Sequence, residues 1–336
     1  MIAPIAFRID KINELRSEIF GPVLHVLRYG AKDMTTIIND INKLGYGLTM
    51  GLHTRIDARA STVAQQAHIG NLYVNRNQIG AVVGVQPFGG EGLSGTGPKA
   101  GGPHYLMRLT KSKKPMDETR QTPTHQVTLD GEKISLSLQP LEEILIASQK
   151  AQKLWSQNLT REARAKLIET ALPALTGRDE NFQTLEEISL PGPTGETNQL
   201  RLVARGLLLV LASDDPEIRA KQIFKCLIAG SSLIIVVDDK LAHSFDMNFS
   251  PKLPEGLIQF VTWDNINNKR IQDIQIDGIV TDEPRQEKAI ALTRSAEGTI
   301  VPLLFPADEL ERFCLERVVT IDTTAAGGNA TLMTIS

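Results

Sequence analysis

Residues 206–237 read GLLLVLASDDPEIRAKQIFKCLIAGSSLIIVV, and this stretch decides the fold of the second half of the chain. Two continuous apolar runs of strand length, at 206–212 and 233–237, enclose a segment with helical character. Because such runs are typical of strands buried on both faces, the pattern predicts a strand–helix–strand unit with parallel strands. Short strands at 257–261 and 278–281 extend it, so the predicted fold class is α/β, with a doubly wound sheet of the Rossmann type.

An antiparallel pair of helices is predicted just before that unit. The first has apolar positions at helical spacing from Leu141 to Trp155. Thr160 can cap the second, and Pro173 would bend its end.

The first half of the chain predicts a further α/β layer. Asp33 can cap a helix that ends at Gly45, and Asp57 can cap another that ends at Gly70. Strand character is found at 23–29, 48–54 and 71–75. Because strands and helices alternate in this order, parallel neighbouring strands are expected.

Length and composition limit the classes of protein. A chain of 336 residues predicts about two domains, which we place at 1–115 and 127–336, with a polar linker at 116–126. A net charge of -3 gives no reason to expect a nucleic acid partner. Two cysteines are too few for a disulfide framework, and no apolar run reaches the ~18 residues of a transmembrane segment. We therefore expect a cytoplasmic protein, and we assign no metal site.

The stretch QPFGGEGLSGTGPKAGGP at 86–103 carries the clearest signal of chemistry. Seven of its eighteen residues are glycine. Glycine permits positive φ angles and leaves main-chain N–H groups free to bind an anion, so the stretch suits a backbone wrapped around a small ligand. A flexible linker is the alternative, against which the prolines within the stretch and the strand-like residues at 71–75 both argue.

Four motifs of the first half stand in a familiar order and spacing: EIFGPV at 18–23, GNLYVN at 70–75, PFGG at 87–90 and SGTG at 94–97. Together they resemble the aldehyde dehydrogenase superfamily, and the wording of residues 74–106 is similar to its glutamate-semialdehyde dehydrogenases. The resemblance implies that residues 1–115 are the C-terminal portion of the catalytic domain of an NAD-dependent aldehyde dehydrogenase.

This resemblance also implies roles for individual residues. Glu18 would accept hydrogen bonds from the ribose hydroxyls on the nicotinamide side of NAD, and Phe20 would pack beside that cofactor. Phe88 would press on the aliphatic chain of the substrate. N–H groups of a short loop would hold the α-carboxylate of the substrate, and the loop consists of Gly92, Leu93, Ser94 and Gly95. The implied substrate is therefore a small amino-acid semialdehyde.

The catalytic groups of the family are expected to lie outside this chain. The chemistry needs a cysteine nucleophile and a glutamate base, which the family carries upstream of the EIFGPV motif, and only seventeen residues precede Glu18 here. We interpret Cys226 and Cys314 as core thiols. No catalytic residue is assigned, and the chain is expected to be an inactive C-terminal fragment unless a missing N-terminal half or a homologous partner chain completes it.

The complete protein implied by the resemblance would oxidise L-glutamate γ-semialdehyde to L-glutamate in proline catabolism. In bifunctional relatives FAD belongs only to a proline dehydrogenase domain, which this chain lacks, and peripheral association with the inner membrane is left open. The alternative is a non-enzymatic assembly module that docks on a partner dehydrogenase. The sequence also leaves open whether the chain forms a homo-oligomer.

The second half resembles a decayed form of the N-terminal, cofactor-binding half of the same superfamily. Carboxylates stand where the family binds the cofactor, at Asp214–Asp215, Asp238–Asp239 and Asp282–Glu283. Since they would repel a pyrophosphate, residues 127–336 are expected to form an inert domain that has lost the cofactor. An independent nucleotide-binding domain is the weaker alternative. The tail from Thr323 to Met333 is expected to dock on another domain.

Overall fold

The computed structural model describes residues 3–110, 140–172, 175, 186–238, 253–266, 274–294 and 298–324. The chain divides into two compact units. The first comprises Met1–Arg108, Glu187–Arg201 and Glu316–Ser336, and the second comprises Leu109–Glu186 and Leu202–Leu315. The predicted linker at 116–126 lies outside the described residues, so the division into domains at 1–115 and 127–336 stays a prediction. The compact units follow a different division, because two later segments join the first unit.

Strands and helices alternate along much of the described chain. In chain order the strands are β1 (Ile5–Arg8), β2 (Val23–Val26), β3 (Tyr46–Gly47), β4 (Thr49–Leu52), β5 (Asn71–Val74), β6 (Glu91–Gly92), β7 (Glu187–Leu190), β8 (Glu196–Ala204), β9 (Leu207–Leu211), β10 (Ser232–Val237), β11 (Ile258–Thr262), β12 (Gly278–Val280), β13 (Leu303–Leu304) and β14 (Cys314–Asp322). The helices are α1 (Met34–Leu44), α2 (Asp57–Gln66), α3 (Leu141–Gln157), α4 (Arg161–Ala171), α5 (Pro216–Ile228), α6 (Trp263–Ile266) and α7 (Gln286–Arg294).

The first unit is built on a five-stranded sheet in the order β4-β5-β14-β8-β7. β5 runs parallel to β4 on one side and to β14 on the other, with Leu72 opposite Val319. All four residues of β5 are buried. Leu72 and Val74 belong to an apolar cluster with Ile38 of α1 and Val63 of α2. The sequence did not predict β14 as a partner of β5, because the two strands lie far apart in the chain.

Two small sheets complete the first unit. β1 pairs in parallel with β2, and β3 pairs antiparallel with β6. The predicted strand at 23–29 is therefore shorter than expected and pairs with β1 instead of joining the main sheet. Phe7 and Leu24 of this pair are 47% and 60% exposed. The β1–β2 sheet thus presents apolar side chains that the described residues leave uncovered.

The helix ends of the first unit differ in part from the sequence prediction. α1 ends as predicted at Gly45, which has a φ of +82°. Asp33 precedes α1, but its side chain makes no capping hydrogen bond. The prediction of Asp57 as a cap was wrong, because Asp57 is the first residue of α2. α2 ends before Ala67, so Gly70 does not close it and serves the loop described below.

The second unit contains a five-stranded, fully parallel sheet in the order β11-β10-β9-β12-β13. β9 and β10 correspond to the two predicted apolar runs, α5 lies between them in sequence, and every residue of both strands is buried. Successive strands lie on one side of β9 and then on the other, which confirms the predicted Rossmann-type α/β fold. The sequence did not predict β13.

Apolar side chains form two clusters from alternate residues of β9. Leu208 and Val210 belong to one, and Leu209 belongs to the other. Helix residues in the first cluster include Trp155, Ile168 and Phe224, and those in the second include Ile144 and Ala289. The predicted cap of α4 is confirmed, since Thr160 Oγ1 accepts a hydrogen bond from the Ala163 N–H (3.3 Å). Pro173 lies outside the described residues, and none of the helices described is long and apolar enough to cross a membrane.

Leu209 tests the core of the second unit, because it is fully buried in the central strand. We expect Leu209→Ala to lower the free energy of unfolding by about 2–5 kcal/mol, since the change removes buried methyl groups and leaves a cavity. Urea unfolding, followed by tryptophan fluorescence, measures this loss. Leu154→Ala is the control, since Leu154 is 48% exposed and its loss should stay near or below ~1 kcal/mol. Equal losses in the two variants would contradict the assigned position of β9.

Candidate functional site

The glycine-rich stretch that follows β5 is a structured loop. Phe88 and Ala100 exchange two backbone hydrogen bonds, of 3.0 and 2.9 Å, so the outgoing and returning arms are paired. Between them, β6 pairs with β3. These bonds fix the shape of residues 88–100, which we call the glycine loop, and they argue against the alternative of a flexible linker.

Two glycines of this region are required by close backbone approach. A Cβ atom on Gly70 would lie 2.0 Å from the carbonyl oxygen of Gly89. Gly92 has a φ of +61°, and a Cβ atom there would lie 2.3 Å from the carbonyl oxygen of Gly45. Both positions lack the room that any other side chain needs, so the glycine loop packs directly on the backbone before β3 and β5.

The structure brings Phe88 together with the predicted carboxylate-binding residues in the glycine loop, where Phe88 is 36% exposed. The N–H groups of Leu93, Ser94 and Gly95 donate to the carbonyl oxygens of Gly45, Glu91 and Gly92, at 2.8, 3.1 and 3.0 Å. These three N–H groups are therefore engaged within the chain, and their role toward a substrate carboxylate stays a prediction. Ser94 Oγ accepts a hydrogen bond from the Gly47 N–H (3.2 Å).

The two predicted cofactor-binding residues lie apart from the glycine loop in the sequence and in the sheets. Glu18 and Phe20 belong to the segment just before β2, which pairs with β1. Glu18 is exposed, and Phe20 is 90% exposed. An exposed carboxylate and an exposed aromatic ring two positions apart suit a ribose and a nicotinamide ring, so these residues fit the NAD that the resemblance implies.

A buried lysine supports the glycine loop from inside. Lys99 is 2% exposed, and its Nζ donates to Asn71 Oδ1 at 3.0 Å and to the carbonyl oxygen of Gly89. Burial lowers the pKa of Lys99 to about 8, although Glu316 and Glu91 act in the opposite direction. The lysine therefore joins β5 to the outgoing arm of the loop, directly after Phe88.

Two residues at the start of β14 hold the loop from the outside. Glu316 accepts a hydrogen bond from the Lys99 N–H (3.0 Å) with one oxygen and lies 2.7 Å from His104 Nδ1 with the other. Arg317 donates two hydrogen bonds to Glu91, of 2.9 and 2.8 Å. Burial alone would raise the pKa of Glu316, but the hydrogen bonds from His104 and from the Lys99 amide lower it.

Sequence reasoning missed this network of Glu91, Lys99, His104, Glu316 and Arg317, which we call the loop anchor. Lys99 and Glu316 are 217 positions apart, and Glu91 and Arg317 are 226 apart. A single sequence contains no local pattern that records such pairing. One local signal was present. Lys99 is a charged residue in a stretch otherwise almost free of charge, which could have indicated a structural role.

A second group of polar residues braces the segment between β5 and the glycine loop. Glu196 of β8 forms an ion pair with Arg76 and accepts a hydrogen bond from Gln86 Nε2 (2.5 Å). Asn198 Oδ1 accepts from Thr320 Oγ1 of β14 (2.7 Å). Arg76 therefore braces the segment between β5 and the glycine loop.

In the second unit, carboxylates occupy the ends of β9 and β12, where a Rossmann-type fold would bind a dinucleotide. Asp215 Oδ1 accepts from the N–H groups of Glu217 and Ile218, at 2.7 and 3.2 Å, and caps α5. Arg285 bridges Asp214 (2.7 Å) and Asp282 (3.0 Å). Arg285 therefore pairs with both Asp214 and Asp282, and the loss of cofactor binding in this unit stays a prediction.

The bonds to Asp215 engage the first N–H groups of α5, which is the part of a helix that can bind a phosphate. The N-terminus of α5 is capped by the chain itself, so its N–H groups are no longer free to bind an anion. Asp239 lies outside the described residues, as does the predicted docking tail beyond Thr324. Among the residues described, no group of three or more His, Cys, Asp or Glu side chains could hold a metal ion.

Both cysteines lie in the apolar core of the second unit. Cys226 is fully buried and Cys314 is 1% exposed. Burial raises the pKa of both thiols, although Arg161 near Cys314 acts in the opposite direction. Neither thiol is available as an exposed thiolate nucleophile, in agreement with their interpretation as core residues.

The paired loop, its motifs and the α/β sheets define the class of protein. Residues 8–114 match the profile of the Aldehyde dehydrogenase family, and this part of the chain belongs to that family. The resemblance inferred from the four motifs is confirmed.

Individual relatives extend the comparison to the whole chain. Bifunctional protein PutA of Escherichia coli (strain K12) is 40% identical over 340 residues, which cover 99% of this chain and 24% of the relative. The 1-pyrroline-5-carboxylate dehydrogenase of Bacillus subtilis (strain 168) is 43% identical over 99 residues, which cover 30% of this chain and 19% of the relative. A crystal structure of a Bradyrhizobium japonicum Proline Utilization A (PutA) mutant is 54% identical over 33% of this chain and 11% of that chain, with a TM-score of 0.32. The chain therefore spans about a quarter of the length of the bifunctional relatives that it matches.

The close approach of Gly70 to Gly89 gives a first test of the loop. We expect Gly70→Ala to lower the free energy of unfolding by about 1–3 kcal/mol or more, because the added methyl group forces the two backbones apart. Thermal unfolding measures the change. Gly21→Ala is the control, since the nearest atom to a Cβ there is Val23 Cγ2 at 3.8 Å. A Gly70→Ala variant as stable as Gly21→Ala would contradict the described loop packing.

Lys99 gives a pH-dependent test. Its pKa is about 8 in the folded chain and near ~10.4 when unfolded, so the unfolded state binds more protons between these values. Stability should therefore rise with pH across this window by up to about 3 kcal/mol relative to Lys99→Met. Urea unfolding at pH values from 7.5 to 10.5 measures the difference. The control is Lys43→Met, at an exposed position, whose unfolding free energy should change with pH as that of the unsubstituted chain does. The same pH dependence in Lys99→Met would contradict the lowered pKa of a buried Lys99.

Proposed function

We propose that this chain is part of an NAD-dependent L-glutamate γ-semialdehyde dehydrogenase of proline catabolism. The observation that carries the proposal is the structured glycine loop, which presents Phe88 in the family's motif. Similarity to a relative named 1-pyrroline-5-carboxylate dehydrogenase over 99 residues, and to bifunctional PutA proteins over nearly the whole chain, supports this substrate class. The complete protein would oxidise the semialdehyde to L-glutamate.

Within that protein, residues of this chain would bind and orient the two reactants. Phe88 would contact the aliphatic chain of the semialdehyde, and the loop from Gly92 to Gly95 would hold its α-carboxylate. Glu18 and Phe20 would hold the nicotinamide side of NAD, which supplies the hydride acceptor of the oxidation. Fixing the carboxylate at one end of a short chain places the aldehyde carbon at a defined distance from it.

The attacking group would come from other residues. An aldehyde dehydrogenase needs an accessible cysteine thiolate, and both cysteines of this chain are buried with raised pKa values. The exposed apolar side chains of β1 and β2 suit a further polypeptide segment that covers them. We propose that this segment carries the nucleophile and the glutamate base. FAD would belong to a proline dehydrogenase domain elsewhere, and the location would be the cytoplasm.

A non-enzymatic assembly module is the second candidate. The internal bonds of the second unit favour it, because among the described residues they engage the N-terminal N–H groups of α5 and the Arg285 side chain while the core stays intact. In this function the second unit would be inert toward nucleotides and would serve only to hold other parts of the protein.

An NAD reduction assay separates these candidates. We expect the purified 336-residue chain to give no NADH with L-glutamate γ-semialdehyde, and we expect turnover when an aldehyde dehydrogenase segment that carries the nucleophile is joined to it or coexpressed with it. In the active protein, Phe88→Ala should reduce kcat/KM by about tenfold or more, because it removes a buried apolar contact of about 1.5–3 kcal/mol.

Two outcomes would count against the proposal. Turnover by the chain alone would refute the missing nucleophile. Absence of turnover in every completed form, with both parts folded and associated, would favour the assembly module. Ile79→Ala is the control for Phe88→Ala, since Ile79 is an exposed apolar residue near the glycine loop in sequence, and it should leave kcat/KM unchanged.

A further inference from the structure

The loop anchor joins two charged residues of the glycine loop, Glu91 and Lys99, to His104 and to Glu316 and Arg317 of β14. The side chains of Glu91 and Glu316 are 7% and 6% exposed, and that of Arg317 is 12% exposed. Lys99 is 2% exposed. Two carboxylates, two cations and His104 thus lie together with little exposure to solvent.

Each anchor bond ends on a different part of the glycine loop. Arg317 holds Glu91, at the start of β6, with both of its donors. Glu316 holds the returning arm at the Lys99 N–H and also contacts His104, which follows the loop in the sequence. The Lys99 side chain then reaches the outgoing arm at Gly89. The bonds therefore fix the two arms relative to each other, on either side of the predicted carboxylate-binding residues.

Stability alone does not account for such an arrangement. Burying charges is costly, and well-packed apolar residues of similar volume often stabilise a protein as well or better. What a fully bonded charged network provides is a single geometry. Glycine-rich backbone has little rigidity of its own, so its geometry depends on outside support. A loop that must hold a carboxylate needs this support, because binding weakens when the groups that contact the ligand are misplaced.

We propose that Glu316 is a positioning residue of the carboxylate end of the aldehyde site. It touches neither substrate nor cofactor. It acts through the Lys99 amide and His104, which hold the returning arm and hence the position of Phe88 and of the loop from Gly92 to Gly95. The proposal rests on the proposed function, since it assigns a role within the same site.

The first test uses the 336-residue chain and needs no activity. In Glu316→Ala, amide hydrogen exchange at Phe88, Leu93 and Gly95 should become about tenfold faster or more, because local opening of the loop costs less. Glu316→Gln keeps one acceptor for the Lys99 amide and should give a smaller increase.

Glu187→Ala is the matched control for this test. Glu187 lies in β7 of the same sheet, and its carboxylate pairs with Arg201 at 3.0 Å on the exposed edge. It should leave exchange in the glycine loop unchanged. Unchanged exchange in Glu316→Ala would overturn the proposal, whatever the function of the chain. A variant that unfolds globally would show fast exchange in β9 as well. In that case the exchange rates of Phe88, Leu93 and Gly95 in Glu316→Gln decide the test.

The second test uses the active, completed protein and two aldehydes. With L-glutamate γ-semialdehyde, Glu316→Ala should raise KM about tenfold or more, since the donors for the α-carboxylate are displaced. With butanal, which has an aliphatic chain for Phe88 but no carboxylate, kcat/KM should fall clearly less than with the semialdehyde. A merely structural defect would lower activity toward both aldehydes equally, and that result would overturn the positioning role.

The two tests separate failure of this inference from failure of the proposed function. If the completed protein oxidises no aldehyde, the function fails, and faster exchange in Glu316→Ala would still support the anchoring of the loop. If it oxidises the semialdehyde but Glu316→Ala shows no selective loss, the function stands and the positioning role fails.

Discussion

The first unit depends on the pairing of β5 with β14. All four residues of β5 are buried, so its backbone polar groups need partners along both edges of the strand. β4 supplies one edge and β14 supplies the other, with Val318 opposite Asn71. Glu316 and Arg317 directly precede Val318 in β14. The same register therefore places them beside the glycine loop. One strand pairing therefore closes the core and also delivers the residues that hold the glycine loop.

The parts of this fold that the sequence predicts are those encoded by short-range patterns. β9 and β10 are continuous apolar runs, Gly45 ends α1, and the motifs around Phe88 identify the loop and its family. The parts that it misses depend on residues far apart. In the sequence, Lys99 is an isolated charge, and only the structure shows its contacts with Asn71 and Glu316. No local periodicity predicts that β14 pairs with β5. Gly70 is a further example. The sequence predicts it as the end of α2, but its close contact is with Gly89, which is distant in the sequence.

The core of the second unit depends on different residues from those at the ends of its strands. Parallel strands and their apolar clusters depend on buried residues such as Leu209, which have no contact with a ligand. The ends of the strands are free to change. Here Asp215 caps the N-terminus of α5, and Arg285 joins Asp214 to Asp282. Carboxylates that would oppose a dinucleotide thus stabilise the chain that bears them.

A compact second unit has a physical role even if it binds nothing. β8 and β14 are neighbours in the sheet of the first unit, and the chain between them includes β9 to β13. An unstructured connection of that length would impose an entropic cost on bringing the two strands together. A folded insert has already lost that freedom within its own core, so it restricts where its two ends can lie. The placement of β14 in turn determines where Glu316 and Arg317 lie beside the glycine loop.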